Sequence, residues 1–391
     1  MTGLARRLAV RTMSAASRLL PPHLSAWSRA MANELTEIAD DRSALLFACG
    51  CLRAAVALAI GARLGALRAI LFPLLPSPRS LPAMIRISTR PRLLGLLCGA
   101  VAVGMGMAYM DAAGAPSRYL LVNFAALVLG ATAWLALGRA GGSRLAGAGL
   151  AILALSIPLL LTALFGVAAD GAVRWVSVGP LSVQISLIVL PAMIILYARR
   201  PDRAGTAGMM VAALALALQP DRAMAGVLAA GLIALLLAKP GRRPVLAAAA
   251  ASILGFGWTL LEPDALPPSA FVDRILYTAF DVHPLAGAAV AAGAAALVVP
   301  AVIGLGRGGG DRAAFLAFGA CWSAVVAAAA LGNYPTPLVG YGGSAVLGYL
   351  LSVALLPGGA RESDALALAS PAADGRDPDR TRSELRAARP A

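Results

Sequence analysis

An all-α polytopic membrane protein of about ten transmembrane helices, with a helical N-terminal extension, is predicted by three observations. Apolar residues fill 59% of the 391 positions and charged residues only 13%, whereas a soluble domain carries about a quarter charged to keep its surface wet. Mean hydropathy is +0.79. Between residues 93 and 357, apolar runs recur at lengths near the span of the hydrocarbon, which a helix crosses in about 20 residues.

The elements follow in order. Residues 1–42 are polar and basic, with five arginines ahead of Asp40 and Asp41. Trp27, Met31, Leu35 and Ile38 recur there at helical spacing, which predicts a short amphipathic helix. Residues 43–90 are apolar but interrupted by Arg53, Arg63 and Arg68, each costly at mid-bilayer. An interfacial helix or a hairpin, then a linker, is expected there in preference to an extra span. The membrane domain occupies 91–357, with runs at 93–110, 118–137, 145–165, 181–198, 204–218, 223–238, 244–260, 284–305, 314–331 and 344–357. Residues 358–391, rich in Ala, Arg, Asp and Pro without periodicity, read as a disordered cytoplasmic tail.

Charge tests the topology. The net charge of +14 is dispersed between apolar runs and in the tails, as the positive-inside rule produces, and this argues against nucleic acid as a partner. With the basic segment before residue 93 cytoplasmic, one set of loops carries ten basic residues, among them Arg199, Arg200, Arg203 and Lys239. The opposite loops carry only Arg174, Arg222 and Arg274, beside Asp111, Asp170, Asp221, Glu262, Asp264 and Asp273. Ten spans put both ends on one side. Cys49, Cys51, Cys98 and Cys321 sit in apolar stretches and read as small core residues. His23 and His283 are the chain's only two histidines, and nothing has the spacing of a metal cage.

Three of the outer loops stand apart from ordinary connections. The first is Gly171-Ala-Val-Arg174-Trp175-Val-Ser-Val-Gly179-Pro180-Leu-Ser-Val-Gln184-Ile-Ser186. The second is Leu218-Gln219-Pro220-Asp221, and the third is Pro335-Thr-Pro337-Leu-Val-Gly340-Tyr341-Gly342-Gly343-Ser344. In this order they resemble the signatures of the SEDS family, the RodA/FtsW-like glycan polymerases of the bacterial cell wall. A fourth stretch, Pro268 to Gly287, resembles the family's segment around an essential outer aspartate, which falls here on Asp273, with Asp281 at a neighbouring acidic position. The resemblance covers about residues 91–357. It implies a ten-helix bundle in the bacterial inner membrane with a cytoplasmic C-terminus. It also implies lipid II, or another undecaprenyl-linked lipid, as substrate. A single-span transpeptidase (a penicillin-binding protein) is the implied partner, and a divalent cation (Mg²⁺ or Mn²⁺) at the pyrophosphate the implied cofactor.

Glycan polymerisation in cell division or cell shape needs a base for a sugar hydroxyl, and a carboxylate raised in pKa near the bilayer suits it. Asp273 takes that role by resemblance. Substrate contacts fall on Arg174, whose planar fork suits phosphate, and on Trp175, Gln184, Asp221, Tyr341, Gly342, Gly343 and Ser344. The glycine pair would let backbone N–H groups approach an anion. Plainer readings stand beside these. Asp273 and Asp221 each precede an apolar run, where Asp caps helices; Arg174-Trp175 suits an interfacial anchor; Tyr341-Gly-Gly-Ser suits a tight turn.

Three departures from the family are visible. Ile185, Leu187 and Leu190 stand where it has Pro, Glu and Lys, so an ion pair has given way to apolar packing. The loop at 261–273 is short, and Arg222-Ala223-Met224 follows the Gln-Pro-Asp. A non-catalytic relative that binds and regulates wall machinery is therefore a second reading. A lipid carrier transporter is a third, although the spans hold almost no polar residues to mark a pathway. Reporter fusions check the topology: a tag after Arg200 should report the cytoplasm and one after Asp264 the opposite side.

Overall fold

The computed structural model describes residues 4–20, 24–74, 90–139, 147–169, 171–264, 266–306 and 312–358. Residues 75–89 of the expected linker, Asp170, the loops 140–146 and 307–311, and the tail 359–391 lie outside the described residues. The chain opens with α1 (Leu4–Leu19), α2 (Ser25–Glu37) and α3 (Asp41–Leu74). Ala9, Met13, Leu35, Ala44, Ala48 and Cys51 bury together as their shared core. In α2, Leu35 is buried while Met31 and Ile38 pack against that core, the stripe its sequence spacing describes. Arg6 clamps the unit by donating to the Ile38 carbonyl at 2.5 Å. A hairpin does not occur before residue 75, because α3 runs unbroken for 34 residues.

The membrane domain follows as α4 (Pro91–Ala112), α5 (Ser117–Arg139), α6 (Ala148–Phe165), α7 (Ile185–Arg199), α8 (Arg203–Leu218) and α9 (Arg222–Ala238). It continues through α10 (Arg243–Thr259), α11 (Ile275–Val282), α12 (Pro284–Ala296), α13 (Val299–Gly306), α14 (Arg312–Leu331) and α15 (Gly343–Ala354). Each of the ten apolar runs holds a helix, but the run at 181–198 opens as a strand, Leu181–Val183, and turns helical only from Ile185. Among the described residues, α4, α5, α6 and α14 are long and apolar enough to cross a membrane, and α12 with α13 makes a fifth if the bent pair is one span. The apolar helices α7, α8, α9 and α15 are shorter. The run at 284–305 is not one straight helix but a pair bent by 40°. Pro300 accounts for the break: it has no N–H for the Ala296 carbonyl, and its ring crowds that carbonyl.

α7 is the axis of the bundle. Eleven of its fifteen residues are buried, and α6, α9, α14 and α15 pack around it. Leu187 and Leu190 lie in the core, as expected for apolar packing in place of an ion pair. Close approach depends on glycine at two points. A side chain on Gly348 of α15 would run into the Leu187 carbonyl of α7, and one on Gly106 of α4 into the backbone at Val339.

The two ends of the bundle differ. At one, Arg92 donates to the Leu356 carbonyl at 2.6 Å, Arg199 to Leu355 at 3.0 Å and Lys239 to Ala198 at 2.8 Å. Cations there satisfy the last carbonyls of helices and complement their dipoles. The other end carries an element the sequence reading did not foresee, an antiparallel meander of β1 (Val167–Ala169), β2 (Ala172–Val178) and β3 (Leu181–Val183), the last of which takes the first residues of the run expected to span at 181–198. Alternating valines favour a pleated strand. Gly171 at φ +84° and Gly179 at φ +59° turn the chain between strands. Of the cysteines, Cys51 and Cys321 are buried, but Cys49 is exposed rather than core.

Gly348→Val should lower stability by about 1–3 kcal/mol or more, because backbone rather than a side-chain tip blocks the new methyls. Gly104→Ala on α4, where nothing lies within 4 Å of the added carbon, should be neutral or raise stability by up to ~1 kcal/mol through helix propensity. Thermal unfolding of the two variants in detergent reads the difference.

Candidate functional site

β2 starts the site. Alternation along the strand turns Ala172 and Arg174 inward, and Arg174 is only 3% exposed. Its Nη2 donates to the Pro220 carbonyl at 2.7 Å and to Asp264 Oδ1 at 3.1 Å. The Tyr334 ring lies 5.6 Å from the guanidinium carbon, within cation–π range, and the Tyr334 hydroxyl donates to the other oxygen of Asp264. Burial first, then the Asp264 carboxylate, push the Tyr334 hydroxyl far above its usual range, so it stays a donor. Asp264 thus holds a strand, a loop and a ring around one buried cation. The Arg174 Nε has no partner among the described residues.

Gln184 and Asp221 form a second network. The Asp221 carboxylate accepts from Gln184 Nε2 at 3.1 Å, from Ser186 Oγ at 3.0 Å, and from the Met224 amide at 3.2 Å. The last bond makes it the N-cap of α9, so the plainer reading holds for this aspartate: it is fully buried and stands behind the site. Gln184 in turn donates its backbone N–H to Ser344 Oγ at 3.1 Å, which joins the end of β3 to the start of α15.

Asp273 behaves differently. The residue at the N-cap position of α11 is Arg274, and no side chain caps that helix. The Asp273 carboxylate accepts only the Ser269 amide, at 2.8 Å, and the residue bridges in β fashion to Pro335. Phe271 and Arg274, on either side, have φ of +62° and +59°, left-handed backbone that side chains rarely adopt and that cross-links must hold. The Thr336 amide donates to Val272 and the Tyr341 amide to Phe271, supplying those cross-links. Partial burial raises the Asp273 pKa above 3.8, against the opposing pull of the Ser269 hydrogen bond.

The third loop is pinned by a residue the sequence reading missed. Asn123, buried in α5, donates to the Gly340 carbonyl at 2.8 Å and accepts the Gly342 amide at 3.0 Å. That amide is therefore engaged, not free to meet an anion as expected. Tyr341 stacks on Tyr119 with ring centroids 3.9 Å apart. A lone Asn inside an apolar run was the available signal, since it needs a partner in the membrane.

Of the sequence-predicted residues, Asp273, Arg174, Trp175, Gln184, Tyr341, Gly342 and Ser344 line one cavity of about 290 Å³. Asp221 does not reach it, and Gly343 lies against a neighbouring apolar cavity. Asp273 also lines a second cavity, of about 550 Å³, together with Arg274, Thr278 and Asp281. One carboxylate is thereby open to two spaces. Among the described residues no group of three or more His, Cys, Asp or Glu is placed to hold a metal.

Two crystal structures are similar in fold: rod shape determining protein RodA from Thermus thermophilus, 22% identical with a TM-score of 0.49, and a mutant of it, 20% identical with a TM-score of 0.48. Each comparison covers 67% of this chain and 94% of the RodA chain. No protein-family model and no curated protein matches the sequence.

Asp264→Ala should destabilise the protein by about 3–5 kcal/mol, because it leaves a buried cation without its counter-charge. Removing both charges, as in Arg174→Leu with Asp264→Leu, should cost less than the sum of the single losses. Denaturation of the four proteins in one detergent measures that coupling.

Proposed function

We propose that the chain is a divergent SEDS-type glycosyltransferase that polymerises lipid II on the outer face of the inner membrane. One observation carries this reading: a half-buried carboxylate, Asp273, stands where two cavities meet. Polymerisation brings two lipid-borne sugars to one point, and a general base must reach the hydroxyl of one while the other loses its pyrophosphate. Asp273 takes the proton of the 4-hydroxyl as that oxygen bonds to the anomeric carbon of the second sugar. The bond from that carbon to the pyrophosphate oxygen breaks in the same displacement, and the electron pair leaves with the phosphate.

The other residues hold and orient. Arg174, fixed by Pro220 and Asp264, places an immobile positive charge beside the cavity, which costs no reorganisation when charge develops. Gln184 is oriented by the Asp221 network. Trp175 and Tyr341 offer flat faces of the kind sugar rings pack on, and Gly342 and Ser344 shape the floor of the cavity. Mg²⁺ or Mn²⁺, bound with the pyrophosphate near Asp273 and Asp281, would neutralise the leaving group. A single-span transpeptidase is the partner in this reading, and division or shape the process served.

A second reading, a non-catalytic regulator that binds the lipid, is favoured by one feature: the Arg174 head is already engaged by Asp264 and Tyr334. The assay separates the two. The full chain supplied with lipid II and Mg²⁺ or Mn²⁺ should make glycan strands, and Asp273→Ala should lose about 10²–10⁴-fold in rate; an unchanged rate in that variant removes Asp273 as the base. Because the folded pKa lies above 3.8, the base is ionised only above that raised value, so the rate should climb with pH through it. The sign for stability is opposite. Asp273 binds its proton more tightly folded than unfolded, so stability declines as pH rises between the unfolded and folded values and is flat beyond. Asp273→Asn should therefore be no less stable than the parent at neutral pH.

A further inference from the structure

The N-terminal unit carries a surface that its own core leaves uncovered. α1 lies along α3, and its buried stripe is Ala9, Met13 and Ala16. Helical spacing sorts its other residues into two further stripes. Arg7, Arg11, Ser14 and Arg18 make up the first, and all four are exposed. Leu8, Thr12, Ala15 and Leu19 make up the second, each one residue on and therefore about 100° further round the helix. Leu8 is 43% exposed and Leu19 40%, although the same helix has a core that could have hidden them. Val10 is exposed as well, on the far side of the basic stripe, and belongs to neither.

The basic stripe has no counter-charge of its own. α1 contains no acidic residue. Glu34, Glu37, Asp40 and Asp41 lie on α2 and at the entry to α3. Of these, Asp40 accepts the Ser43 amide at 2.7 Å, and Arg6 is the arginine of α1 that reaches this end, at the Ile38 carbonyl. Among the described residues Arg7, Arg11 and Arg18 have no carboxylate at ion-pair distance.

A cationic stripe beside an apolar one narrows the partner. A nucleic acid would neutralise the arginines and leave Leu8 and Leu19 in water. A bilayer surface takes both stripes at once: leucines enter the acyl boundary while guanidinium groups stay among anionic headgroups. α3, on which α1 lies, also touches α9 of the membrane domain, which presents the stripes beside the bundle. We propose that α1 is a docking face for an anionic bilayer surface, with Arg7, Arg11 and Arg18 at the headgroups and Leu8 and Leu19 in the acyl boundary. This gives the N-terminal unit a role that the Asp273 chemistry does not require.

The test uses the full chain with Cys49→Ser, which removes the exposed native thiol, and with Ala15→Cys carrying an environment-sensitive dye in the apolar stripe. The protein is reconstituted in phosphatidylcholine vesicles with and without phosphatidylglycerol. With phosphatidylglycerol the dye should shift to the blue and be quenched by brominated lipid; without it the dye should report water. Arg11→Gln and Arg18→Gln should each lower the docked-to-undocked ratio about fivefold. Salt at about 1 M, which screens charges beyond about 3 Å, should lower it in the parent as well. Leu8→Gln with Leu19→Gln should abolish quenching, and because both side chains are exposed the melting temperature should stay that of the parent. An equal signal in the two lipids, or both arginine variants matching the parent, overturns the docking face. Asp273→Ala should leave the dye signal unchanged, so this face and the polymerase reading fail independently.

Discussion

One buried cation organises the site. A guanidinium 3% exposed, in a chain with so little charge, is tolerable only with a counter-charge and hydrogen bonds around it. Asp264 supplies the first, 90 residues along the chain, and Pro220 and Tyr334 supply the rest. These groups come from β2, from the turn ahead of α9, from the loop after α10 and from the segment after α14. Four stretches with no sequence proximity are thereby drawn to one point. Position of the short 261–273 loop follows from that convergence, and position of Asp273 follows from the loop.

Strain is local to the same place. Phe271, Arg274 and Leu338 all have positive φ without being glycine, at a cost of about 1–3 kcal/mol each. Such backbone survives only when neighbours over-determine it. The Thr336-to-Val272 and Tyr341-to-Phe271 amide bonds, and the grip of Asn123 on Gly340 and Gly342, do this. Asp273 is consequently set by the loop after α14 as much as by its own loop. Leu187 and Leu190 pack in the core along α7, while the ion pair of Arg174 and Asp264 anchors the site at the rim.

Much of the bundle was legible because one-dimensional signals govern it. Lipid-facing helices need apolar runs, and a helix occupies most of each run, the opening of 181–198 being strand. Basic residues sort by loop, and Arg92, Arg199 and Lys239 do sit together on helix C-termini. What escaped depends on contacts across the chain. α1 hides its Ala9, Met13 and Ala16 stripe among arginines, and its burial exists only because α3 lies against it. The meander is built from two strands of three residues and one of seven, too short to declare a period. The 41–74 helix runs unbroken past Gly50, Gly61 and Gly65, with Pro73 only in its last turn; its arginines argued about depth in a bilayer, not about backbone. Asp221 and Asp273 looked alike, each an acid ahead of an apolar run. Only three dimensions separate a buried cap from a half-open carboxylate.

That separation bears on how the site works. A cap such as Asp221 accepts three hydrogen bonds from fixed donors. Among the described residues the Asp273 carboxylate accepts one such bond, and the residue lines two cavities. Partial burial raises its affinity for a proton, while the left-handed residues beside it keep it from relaxing into the helix that follows. In the proposed reading a base needs that combination: spare acceptor capacity, a raised proton affinity and a fixed position. The buried network around Arg174 holds the loop that carries Asp273, and partial burial raises its proton affinity.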